Sequence, residues 1–82
     1  MNGDRARQQL ERIQAMVKES RSNCTMELEP TSAVDSVYLT FHCGAQIHRV
    51  QWAGAWLESL SPNDLWRELD IATRGSIKKP TT

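Results

Sequence analysis

The sequence predicts an α+β fold: a single small domain in the order α-β-β-β-α-α, with a three-stranded antiparallel sheet and its helices packed on one face. Three observations carry this. Apolar residues recur at helical spacing near the N-terminus. Two alternating runs flank Gly44-Ala45. A helix-start signature stands at Ser61-Pro62-Asn63-Asp64.

Asp4 is placed to cap a first helix, in which Ala6, Leu10, Ile13 and Val17 fall on one stripe with Met16 beside it. Arg5, Gln8, Arg12 and Glu19 take the far side, and the Ser and Asn between Ser20 and Asn23 end the helix. Cys24, Met26 and Leu28 then alternate with Thr25, Glu27 and Glu29, which is strand periodicity with one wet face. Pro30 stops that strand because it has no amide to donate. Residues 30–36 form the longest internal loop.

The central hairpin has the strongest pattern. Gly44 suits the first position of a type II′ turn, which requires a positive φ. That turn sets Cys43 opposite Gln46, Phe41 opposite His48, Leu39 opposite Val50 and Val37 opposite Trp52, all on one face. The other face carries Tyr38, Thr40 and His42 against Gln51, Arg49 and Ile47. A slip of one residue would scramble both faces.

After the hairpin, residues 53–60 read as a short helix or turn with Trp56, Leu57 and Leu60 inward. In the last helix Ser61 is the N-cap, Pro62 the first helical residue and Asp64 the acid in the first turn. Leu60 and Leu65 match a hydrophobic staple across this start. Leu65, Leu69 and Ala72 make the buried stripe, Trp66 and Ile71 lie on its flanks, and Gly75 closes the helix. The domain is expected to span 1–75, with 76–82 a disordered tail.

With 82 residues, 39% of them hydrophobic and 24% charged, the chain has a core that needs tight packing or self-association. No apolar run is long enough to span a membrane, and the polar start has no signal-peptide character. The expected location is therefore cytoplasmic, with Cys24 and Cys43 as buried thiols; a bridge between them would need an oxidising compartment. Net charge is zero but uneven: residues 4–21 carry +2, the middle −5, and the tail from Arg74 on +3.

Catalytic and metal chemistry find little support. Cys24, Cys43 and His48 share the core face, yet a fourth zinc ligand is missing. Cys43 with His48 resembles a thiol–imidazole pair, but no orienting residue or oxyanion cradle accompanies it. Asp64 and Glu68 share a helix face as surface charge, and no phosphate loop or hydrolase motif is present. The chain is read as non-enzymatic, with no metal and no cofactor.

The element order resembles the double-stranded RNA-binding fold. That family's Gly-rich loop and Lys-Lys helix start are missing, and here the last helix opens with an acid, so the likeness carries no function. The expected function is a small protein-interaction or regulatory module. It would bind a protein partner, or a second copy of itself as a homodimer, through the open sheet face, a sheet edge or the last helix. The contact residues expected are Tyr38, Thr40, His42, Ile47, Arg49, Gln51 and Trp66. The alternative is weak nucleic-acid (RNA) binding through the basic first helix and the C-terminal tail.

Overall fold

A computed structural model describes residues 3–30 and 35–79. It contains α1 (Gly3–Glu19), β1 (Cys24–Leu28), β2 (Ser36–Cys43), β3 (Gln46–Ala53), α2 (Gly54–Glu58) and α3 (Pro62–Ala72). The strands form one antiparallel sheet in the order β1-β2-β3, which is the expected α-β-β-β-α-α arrangement. The loop expected over 30–36 falls mostly on 31–34, and the end of the expected tail on 80–82, both outside the described residues.

Burial along β2 alternates strictly. Val37, Leu39, Phe41 and Cys43 are covered, while Ser36, Tyr38, Thr40 and His42 between them stay partly open. One side of the sheet therefore faces the core and the other faces water. The hairpin has the anticipated register, from Ser36 opposite Ala53 to Cys43 opposite Gln46. Gly44 sits at φ +63° while Ala45 is not among the residues of positive φ, as a type II′ turn requires. A Cβ on Gly44 would lie 2.9 Å from Asn23 Nδ2, so the turn is also closely packed.

Helix α1 buries Ala6, Ile13, Met16 and Val17, with Leu10 partly covered. It begins at Gly3, which puts Asp4 inside the first turn rather than at the N-cap. One polar side chain joins the apolar stripe. Gln9 is buried, and its Nε2 donates to the carbonyls of Leu57 and Leu60, both at 2.9 Å. Helix α2 has only five residues, too few to hold its own last turn, and these two bonds occupy the Leu57 carbonyl in that turn and the Leu60 carbonyl just beyond it.

Helix α3 starts as its sequence indicates. Ser61 Oγ accepts from the Asp64 N–H at 3.2 Å, Pro62 follows the cap, and Leu65 and Leu69 are completely buried. Its end uses two residues where one glycine was expected. Arg74 takes the left-handed position at φ 53°, and its N–H donates to Ile71; Gly75, at φ +89°, donates to Asp70. This is the paired-bond Schellman ending, with an arginine where glycine is usual.

Besides the two helix ends, four expectations need correction. First, Cys24 and Cys43, directly opposite each other on β1 and β2, are joined by a disulfide rather than standing as buried thiols. Second, Ile77 lies in the stretch expected to be a disordered tail, yet it is completely buried in the main core cluster. Its N–H donates to Thr73 Oγ1 at 3.0 Å, and that hydroxyl donates to Leu69 O at 2.7 Å, so the chain is tied back beneath the end of α3. Third, Trp66 is 8% exposed and belongs to the core, whereas Trp56, expected inward, is 38% exposed with its ring 5.8 Å from that of Trp52. Fourth, Leu28 shares the inward side of β1 with Cys24 and Met26 but remains 48% exposed, because β1 is an edge strand.

Candidate functional site

The open face of the sheet is a small lattice of cross-strand neighbours. Register places Thr25, His42 and Ile47 in one row and Glu27, Thr40 and Arg49 in the next. Tyr38 and Gln51 form a third row, which Glu29 enters through its N–H bond to Tyr38 O at 3.0 Å. The six sheet residues expected at the site are thus brought together. Trp66 is not among them: its indole is enclosed by the core on the opposite side, which removes it as a contact residue.

The centre of the lattice is a bidentate ion pair. Arg49 Nε donates to Glu29 Oε2 at 2.6 Å and Arg49 Nη2 to Oε1 at 2.9 Å. Thr40 Oγ1 donates to the same Oε2 at 3.2 Å. The guanidinium carbon also stands 5.5 Å from the centroid of the Tyr38 ring, within cation–π range. The fork of arginine matches a carboxylate in both spacing and plane, so this geometry fixes both side chains. The hydrogen bonds from Arg49 hold the Glu29 carboxyl below its ordinary range, assisted by Thr40 and by the positive charge. The same contact raises Arg49 above its own ordinary value.

Around this centre the surface is mixed. Ile47 is 66% exposed at one end of the face. His42 Nε2 lies 3.6 Å from Glu27 Oε1, a loose contact between two largely exposed groups. Tyr38, Arg49, Val50 and Gln51 line a shallow hollow of about 140 Å³ beside β3. Glu29 was missed as a site residue by sequence reasoning. The strand alternation placed Glu29 on the wet face, but only the β1–β2 register brings it beside Tyr38 and within reach of Arg49.

The bridge between Cys24 and Cys43 leaves no free cysteine among the described residues, so neither the zinc set nor the Cys43 nucleophile has its thiolate. His48 stays on the core side opposite Phe41, with its Nε2 shielded from solvent and without a hydrogen-bond partner among the described residues. Among the described residues no helix is long and apolar enough to cross a membrane. Compared with protein-family models, with curated proteins and with solved structures, the chain matches none of them.

Proposed function

We propose that the chain is a small non-enzymatic interaction module that docks a protein partner on the open sheet face, through Tyr38, Thr40, His42, Ile47, Arg49 and Gln51. The observation that supports this reading is the Arg49–Glu29 pair with Thr40 and Tyr38 around it. Ordering a long side chain at an interface normally costs about 0.5–1.5 kcal/mol, and this face has restrained its arginine in advance. Tyrosine and arginine are the side chains that most often anchor protein contacts, and exposed Ile47 adds apolar area beside them.

The same platform suits a phosphate backbone poorly. Its arginine is already neutralised by Glu29, and exposed Glu27 adds a negative charge. The cytoplasmic expectation rested on the lack of a membrane-length apolar run and of signal-peptide character, and Cys24 and Cys43 were expected as thiols because that compartment is reducing. The bridged pair instead favours an oxidising compartment, and the redox state of the pair in protein taken from its source cell tests that.

Affinity purification from the source cell, with the intact chain and its Tyr38→Ala and Arg49→Glu variants as baits, tests the reading. A partner should be retained by the intact chain and lost with either variant. The module reading fails if the protein is strictly monomeric and nothing it retains depends on these residues.

A further inference from the structure

A second surface lies on the outer side of β1, away from the open face. The Glu29 N–H bond to Tyr38 O fixes which residues of β1 direct their backbone groups toward β2. Hydrogen-bonded and non-hydrogen-bonded pairs alternate along an antiparallel ladder, so Thr25, Glu27 and Glu29 bond inward while Cys24, Met26 and Leu28 direct N–H and C=O outward. The Cys24 N–H is taken by Ser22 Oγ at 3.4 Å. Among the described residues, Met26 and Leu28 make no backbone hydrogen bond outside their own strand ladder.

Side chains of those same two residues border a groove of about 200 Å³ between β1 and α1. Leu10, Met26 and Leu28 supply its apolar surface, and Arg7, Glu11 and Gln14 its polar rim. An open row of backbone donors and acceptors thus runs beside an apolar trough, and Leu28 is 48% exposed at the junction. This is the arrangement that receives an added strand, where the backbone supplies affinity and alternate side chains supply selectivity.

We propose that this edge takes an extended segment of a partner protein with an apolar–basic–apolar core. Paired antiparallel to β1, the two apolar residues stand across from Met26 and Leu28 and enter the groove. The residue between them falls opposite Glu27, whose side chain is 70% exposed, so a lysine or arginine completes the pairing. A second copy of this chain is the poorer occupant. Matching Met26 and Leu28 of one copy to Leu28 and Met26 of another sets the two Glu27 carboxylates directly opposite each other, a destabilising cross-strand pair.

The test titrates the full chain with two capped heptapeptides, one with a Leu-Lys-Leu centre and one with Leu-Glu-Leu, followed by backbone amide NMR. The lysine peptide should shift residues 25–29 and slow hydrogen exchange at the Met26 and Leu28 amides. It should bind about fivefold more tightly than the glutamate peptide. Glu27→Lys, at an exposed position, should reverse that order, and Leu28→Asp, checked for folding by circular dichroism, should abolish binding. Tyr38→Ala should leave peptide binding intact, which separates this edge from the open face. The proposal is overturned by equal binding of the two peptides, by shifts confined to the open face or β3, or by sedimentation that shows β1-dependent dimers without peptide.

Discussion

Removing Ile77 is expected to destabilise the domain severely, although only five residues follow it in the sequence. Its side chain is completely buried within the main core cluster. Truncating a fully buried isoleucine to alanine costs about 2–5 kcal/mol, from lost transfer energy and from the cavity left behind. Ending the chain after Ser76 also deletes the Ile77 N–H bond to Thr73 Oγ1, worth about 1 kcal/mol more. A domain of this size has a total stability of roughly 4–12 kcal/mol, so either change removes a large share of it. For Ile77→Ala a central value of about 3 kcal/mol corresponds to a fall in Tm of roughly 12–24 °C. The assay is urea unfolding with the disulfide intact, read by tryptophan fluorescence. Lys78→Ala, at an exposed residue, serves as control and should stay within about 0.5 kcal/mol of the intact chain. Superimposable unfolding curves for Ile77→Ala and the intact chain would refute the placement of this segment in the core.

Two further outcomes follow from the cysteine bridge and the central ion pair. The disulfide closes a stretch with a sequence separation of 19, for which loop entropy gives about 3 kcal/mol of stabilisation. The double variant Cys24→Ala/Cys43→Ala should therefore unfold at clearly lower urea, and equal midpoints would count against the bridge. The lowered pKa of Glu29 means that its folded carboxylate ionises more easily than the unfolded one. The pair's contribution is then fully present above the ordinary glutamate pKa of about 4.3 and is lost as pH falls through the lower folded value. Arg49→Gln should move the Glu29 carboxyl titration upward when followed by carbon NMR; an unchanged titration would remove the ion pair as its cause.

What was legible in the sequence was local or periodic. The hairpin register followed from two alternating runs and one glycine that can adopt positive φ. The start of α3 followed from a serine cap with proline beside it. The misread positions depend on what a neighbouring element covers. A helical wheel gives the direction of Trp66 relative to its own helix, not the packing that encloses it, and residues 53–60 gave no sign that Trp56 would stay half open. Ile77 is a single apolar residue among polar ones and has no period to reveal it. The face residues were identified correctly as neighbours, but the pairing of Arg49 with Glu29 needed the β1–β2 register, which no tight turn specifies because β1 ends at Leu28 and β2 starts only at Ser36.

The buried amide of Gln9 also has a consequence for the order of assembly. Its two partners lie 48 and 51 residues downstream, so helix α1 cannot complete its contacts until Leu60 has been synthesised. Helix α2, at five residues, has too little local stability to form ahead of that event. The contact of α1 with the α2 region is therefore completed late, after the sheet residues that α1 also packs against have been made. During synthesis the Gln9 contact stays unmade until then, and that interval is where a nascent chain of this sequence is most exposed to mispairing or chaperone capture.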